Sequence, residues 1–328
     1  MKINERFYPI LATVAVLALL YGYGINEHRA FSDTYVLGNL LTDNAFLIIT
    51  AVGMTFVILS GGIDLSVGSM IAFVGVLIAE LVGGFGFHPL AAVAVALVVG
   101  TAFGAFMGLI VAKFDIQPFI VTLAGMFFLR GICFVINLDS VPIDHPFVGA
   151  VGDFKVPLPG RGWLSASALL MLATVLVGIL IAHYTRFGRN IYAIGGDRQS
   201  AQLLGIPVED TLVRVYALSG FFSALAGVVF AFYTASAYPL AATGVELDAI
   251  AAVVIGGTLL TGGMGFVAGT FFGGMIMGVI QILIAFDGSL NSWWTKIMIG
   301  VLLFGFIVLQ RVITRSFSGV REGEGQAA

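Results

Sequence analysis

The residues of this chain with the types and spacing to do chemistry are few, and they lie in two places. The first is Gly61-Gly62-Ile63-Asp64-Leu65-Ser66, where a carboxylate stands among Ser60, Ser66 and Ser69 with apolar runs on both sides. A glycine pair interrupts a helix. An ionisable group in such surroundings costs ~2.5–3.5 kcal/mol at a bilayer centre, so Asp64 has to face protein or water rather than lipid. Two roles are open to it: N-cap of the next helix, through backbone N–H groups near Ser66 and Val67, or polar contact on a solute path. The second place is residues 186–214, a long polar interruption holding Arg186, Arg189, Arg198 and Arg214. Within it Asp197 is placed to cap a short helix. Ala201, Leu203 and Leu204 give that helix an apolar face, and Gly205 with Pro207 ends it. Such a helix is either a handle for a soluble partner docking helix-in-groove, or an ordinary loop holding one helical turn.

The chemistry that is missing narrows the function further. There is no G-x-x-x-x-G-K-[S/T] run, so the chain itself is not expected to hydrolyse ATP. There is no HExxH and no GxSxG. His28, His88, His145 and His183 are scattered near loops, and the lone Cys133 excludes an internal disulfide or a CxxC pair. No catalytic residue, metal site or cofactor is therefore expected. What is left for a solute path is neutral and aromatic: Asn44, Phe46, Thr55, Ser60 and Ser66 beside Asp64, with Thr122, Ser219, Tyr233, Gln281, Trp293 and Trp294 further along. Such side chains suit a neutral polyhydroxyl solute, although Trp293 and Trp294 also fit an interfacial aromatic belt.

These residues must be positioned by membrane helices. Of 328 residues 59% are hydrophobic and 10% charged, with mean hydropathy +1.06, and no water-soluble domain buries that much apolar side chain. The fold expected is an all-α, polytopic transmembrane bundle. About ten apolar runs can be counted, near 8–24, 43–60, 65–83, 89–112, 118–138, 164–183, 213–235, 246–261, 264–285 and 293–310. The shortest of them read as broken or tilted helices. With ten spans and both termini cytoplasmic, ten of the fifteen Lys and Arg fall on the inner side, as the positive-inside tendency asks. Residues 1–315 then form one transmembrane domain, and 316–328 a disordered cytoplasmic tail. The segment 139–162 becomes the longest outer loop, irregular but folded. Gly100-x3-Gly104-x3-Gly108, Gly269-x3-Gly273 and Gly274-x3-Gly278 read as helix-packing ridges. A faint internal echo pairs Gly100-Thr101-Ala102-Phe103-Gly104 with Gly269-Thr270-Phe271-Phe272-Gly273, and Gly62-Ile63-Asp64-Leu65 with Gly244-Val245-Glu246-Leu247. Its offset of five spans fits an inverted repeat, and chance similarity in Gly/Phe-rich sequence competes with that reading.

Four stretches together carry a resemblance to a known family: VGMTFVILSGGIDLSVGSM, AGMFFLRG, RFGRNIYAIGGDRQSAQLLGI and ELDAIAAVVIGGTLLTGGMG. The chain resembles the ribose-type permeases of ABC sugar importers along nearly its whole length. LTDNAF, LAGMFFLRG, GVELDAIA and NSWWTKI look most like the permeases of galactofuranose importers. The resemblance implies a multi-pass subunit of the bacterial inner membrane. Its partners would be cytoplasmic ATP-binding subunits, a second permease (a non-identical chain, or a copy of itself), a periplasmic sugar-binding protein and the lipid bilayer; nucleic acid is not among them. It also implies that Arg189, Gly195, Gly196, Asp197, Ala201, Leu203, Leu204, Gly205 and Ile206 form the loop that couples to the ATPase, with Asp197 standing where the family often carries Asn. The competing readings are a stand-alone ion-coupled transporter with Asp64 as its coupling site, and a same-family permease for ribose or another small solute.

Overall fold

The structure is a computed structural model, and it describes residues 8–291 and 293–308. Helix α1 (Tyr8–Glu27) is followed by a 3-10 turn (Arg29–Ser32) and by α2 (Thr34–Asp43), which Asp33 caps through the Tyr35 N–H. Helix α3 (Ala45–Leu59) continues α2 after a 53° bend at Asn44. Helix α4 (Val67–Ala79) runs on through a π turn (Glu80–Gly84). Helices α5 (Pro89–Phe114) and α6 (Pro118–Ile136) both open on proline, whose missing N–H costs nothing in a first turn.

After α6 come β1 (Val141–Pro142), α7 (Pro146–Asp153), β2 (Lys155–Pro157) and β3 (Trp163–Ser165). Helix α8 (Ala166–Tyr184) follows, capped by Ser165, and then α9 (Arg186–Gly196) and α10 (Arg198–Leu203). The chain ends with α11 (Val208–Thr234), β4 (Ser236–Ala237), α12 (Val245–Ile255), α13 (Val267–Asp287) and α14 (Trp293–Val308). The described residues are mostly helical, with two small antiparallel ribbons among them that the apolar runs did not predict: β1 pairs with β4, and β2 with β3.

Among the described residues seven helices are long and apolar enough to cross a bilayer, and the bent α2–α3 pair raises the count to eight. The expected run at 246–261 is the eleven-residue α12, about 16 Å long, which is half of the ~30 Å hydrocarbon thickness. The expected run at 293–310 is α14 as far as Val308. The tail 316–328 lies outside the described residues. The segment 139–162 is folded rather than extended, since it carries α7 and most of the β2–β3 hairpin.

Helices α3, α4 and α11 form the centre, and α3 is buried along almost its whole length. Two of the glycine ridges are seams. A Cβ on Gly104 or Gly108 of α5 would collide with the Tyr216 turn of α11, and one on Gly100 with Ala224. Gly269 and Gly273 of α13 lie in the same way against Gly256 and Ala252. Without a side chain between them, two backbones approach closely enough for dispersion to hold them in lipid, where no hydrophobic force drives helix association.

Candidate functional site

The break between α3 and α4 is a built structure. Gly61 has φ +85°, a left-handed conformation that glycine adopts without steric cost, and it turns the chain out of α3. Asp64 is 1% exposed. Its Oδ1 accepts from the Ser66 N–H at 3.0 Å and from Ser66 Oγ at 2.6 Å, a local turn closed by its side chain; the N-cap of α4 is Ser66, and Asp64 bonds to no N–H of the helix itself, so the expected cap role is not the one it takes. Its Oδ2 accepts from Ser219 Oγ of α11 at 2.8 Å, which ties the break to the central helix. Thr122 of α6 donates to the Ile63 carbonyl at 3.2 Å. The buried Tyr216 hydroxyl lies against Gly62 and finds no hydrogen-bond partner among the described residues.

The other expected path residues do not gather around Asp64. Asn44 and Phe46 lie at the far end of α3, about 20 Å along the helix from Ser60. Asn44 Nδ2 donates to the Leu40 carbonyl at the bend, and Phe46 packs edge-on against Phe230. Thr55 is fully buried and shares a 2.7 Å hydroxyl pair with Thr270 of α13. Ser60 Oγ donates back to the Val57 carbonyl. In this conformation these groups are used in packing and hydrogen bonding within the protein.

At the end of the bundle that carries the arginines, Thr185 caps α9 and Asp197 caps α10, its Oδ1 accepting from the Ser200 N–H at 2.6 Å. Gly205 (φ +78°) closes α10, with the Ile206 N–H returning to the Ala201 carbonyl. The apolar residues of α10 do not share one face. Ala201 is buried and packs with Ile194, Val208, Leu212, Ala112 and Ile206, whereas Leu203 and Leu204 are 89% and 79% exposed. The short helix is therefore held on its inner side and offers two bare leucines on its outer side. Arg189 is exposed as well. Arg198 pairs with Asp115 at 2.9 Å, but both side chains are too exposed for the pair to add much.

Three glycine pairs meet where α9 ends: Gly61-Gly62 after α3, Gly195-Gly196, and Gly262-Gly263 in the turn before α13. A Cβ on Gly195 would strike the Leu59 carbonyl, and one on Gly262 or Gly263 would strike Gly61 or Gly196. The Gly263 N–H donates to the Leu59 carbonyl at 2.9 Å. Tyr192 Oη donates to the Gly265 carbonyl at 2.8 Å, and Phe266 packs on His183. Helix α9 is thus joined by backbone to two interrupted spans at once. Sequence reading picked out Gly195-Gly196 and Gly61-Gly62 separately. It did not bring Gly262-Gly263 or Tyr216 to the site, although the recurrence of Gly-Gly was a visible signal.

Interrupted apolar helices around a buried carboxylate, joined to an amphipathic helix at one end of the bundle, define a polytopic membrane protein of the permease class. Residues 36–307 match the family of branched-chain amino acid transport system permease components, and the chain belongs to that family. It is 56% identical over 310 residues, 94% of each chain, to the inner membrane ABC transporter permease protein YjfF of Escherichia coli K12. It is 36% identical to the fructose import permease protein FruG of Bifidobacterium longum, over 95% of this chain and 93% of the relative. It is 43% identical to the ribose import permease protein RbsC of Escherichia coli K12, over 75% and 76% of the two chains. No solved structure matches the chain significantly.

Proposed function

We propose that this chain is the membrane-spanning permease subunit of an ATP-driven importer. It carries a monosaccharide from a periplasmic binding protein to the cytoplasm across a bacterial inner membrane. The observation that carries the reading is the family match over most of the chain, with relatives named as import permeases for sugars. The sugar we assign is galactofuranose, on the resemblance of the segments quoted above to permeases of that type. ATP hydrolysis belongs to separate cytoplasmic chains, and a second, different permease completes the pathway.

Ten crossings with both termini inside are reached by counting α2–α3, the half-length α12 and α14 with the seven long helices. Two features support an inverted five-span repeat. Helix α11 packs on α5 and α4, and its counterpart α3 packs on α13 and α12. The breaks before α4 and before α12 each place a carboxylate, Asp64 and Glu246, at the start of a helix. Residues 1–315 act as one domain. The assigned coupling segment runs from Arg189 to Ile206, with Leu203 and Leu204 as the side chains that enter the ATPase. A push on α9 reaches both interrupted spans through the glycine contacts, and rocking of the bundle halves switches access to the path. The path we assign is lined by Asn44, Phe46, Thr55, Ser60, Asp64 and Ser66, exposed in turn as the halves move.

The test is purification of the tagged chain in mild detergent from its native host. An ATP-hydrolysing subunit with a second, different permease is the expected company. Sugar uptake by the chain alone in liposomes, driven by an ion gradient, would overturn the reading in favour of a secondary transporter. The double variant Leu203→Ala, Leu204→Ala should insert normally, since neither side chain packs inside the protein, and should lose the ATPase on purification together with uptake. Full uptake by that variant would remove the coupling role.

A further inference from the structure

The AGMFFLRG run has no part so far in the site. Its Arg130, on α6, places a guanidinium in the membrane region, where a charge persists only with compensating partners. Nη1 donates to the Pro239 carbonyl at 2.5 Å and to the Ala241 carbonyl at 2.9 Å. Both carbonyls belong to the turn between β4 and α12. That turn is strained. Of the three non-glycine residues with positive φ among the described residues, Ala242 (+56°) lies within it, and Ala235 (+48°) stands just before β4 as the left-handed C-cap of α11. Alanine in this region costs of order 1–3 kcal/mol and persists only where the surroundings dictate it.

The surroundings here are specific. Ser236 and Ala237 pair with β1, and the Ile143 N–H donates to the Ala235 carbonyl. Arg130 holds the middle of the turn. Just beyond it, Glu246 Oε1 accepts from the Gly244 N–H, while Oε2 is buried against Gly68 of α4 without a hydrogen bond among the described residues. Eight residues before Arg130 on α6, Thr122 holds the Ile63 carbonyl of the other break. Helix α6 therefore fastens both interruptions, about 12 Å apart along its axis.

We propose that Arg130 is a latch: a positioning residue that holds the strained turn 235–244, and through it the half-helix α12, in the conformation described, and that lets go when the path opens to the outer side. This rests on the permease reading for its role in transport, but the latch itself is testable without it.

The probe is an impermeant maleimide acting on Ala241→Cys in a Cys133→Ser background, in the intact transporter in native membranes. In nucleotide-free membranes Arg130→Met should raise the labelling rate about tenfold, as expected for loss of hydrogen bonds from a charged donor. Arg130→Lys, which keeps the charge and a donor, should lie between. With Mg-ATP and vanadate the parent should label faster than without, and Arg130→Met should lose that difference along with most uptake. Equal nucleotide-free labelling of parent and Arg130→Met, in a parent that transports, overturns the latch and leaves the permease reading standing. Parent labelling that ignores nucleotide overturns its release. Should Arg130→Met fail to insert, Arg130→Lys decides, and parental labelling and uptake in that variant would likewise count against the latch.

Discussion

Gly195 and Gly196 are neighbours in sequence with opposite surroundings. A Cβ on Gly195 meets the Leu59 carbonyl and the Gly263 nitrogen, whereas one on Gly196 meets nothing within 4 Å. Gly195→Ala should therefore force backbone apart at a cost of about 1–3 kcal/mol, and Gly196→Ala should be tolerated. Uptake measured at matched membrane levels checks this: loss in the first and near-normal rates in the second are expected, and equal rates would mean that the contact is not needed. The same residues show what a sequence can disclose at this scale. The Gly61-Gly62 interruption and the Asp197 cap are local, set by residues within a turn, and both were readable. The contact of Asp64 with Ser66 was readable because the two are two residues apart, although Ser66 and not Asp64 is the N-cap of α4. Its second partner, Ser219, was readable only as a polar residue in a span, because nothing local pairs it with Asp64.

Among the elements, α10 depends on a titratable cap. The Ser200 N–H, with help from the Ser200 side chain, holds the Asp197 carboxyl below its ordinary value. A depressed folded-state value means that the cap stabilises α10 above the unfolded pKa of about 3.9 and is lost as pH falls through the lower folded value. A spin label at Leu203→Cys, in the Cys133→Ser background, should be ordered at neutral pH and gain mobility only below about pH 4. Asp197→Asn should shift no such transition into the neutral range. A transition near pH 6 would point to another group. Element lengths were less legible than caps. Helix α12 is half a span because it stops at Ile255, where Gly257 (φ +92°) turns the chain and Gly256 lies backbone to backbone against Gly269 of α13, a contact that hydropathy does not register. The 53° bend at Asn44 was hidden because the apolar run was counted only from Asp43, Thr34–Asp43 being too mixed to count.

At the scale of the molecule, sidedness is the property most open to test. Cysteines placed one at a time in the Cys133→Ser background at Phe154 and Arg198 should label differently. The first should react with an impermeant thiol reagent added to whole spheroplasts, and the second only after permeabilisation. The reverse pattern, or reaction of both from outside, would break the ten-span arrangement. Both positions are exposed, so accessibility of the side chain itself is not in question. The class of fold was legible because apolar composition admits no other solvent. The pairing of helices was legible only in part: the Gly100 and Gly269 ridges announced close seams, but their partners Tyr216 and Ala252 carry no mark in the sequence.

The meeting of the three glycine pairs also sets an order of assembly. The Leu59 carbonyl leaves the ribosome early and Gly263 very late, with α9 and α10 made between them. Helices α9 and α10 are therefore complete while the second half of the seat that holds them is still unwritten. If α9 and α10 are the proposed handle, an ATPase arriving during synthesis would meet it seated on the Leu59 end of α3 and not yet on the turn before α13. The second seat is complete only in about the last fifth of the chain, so a protein truncated before Gly262 should present the proposed handle joined to one interrupted span and not to the other.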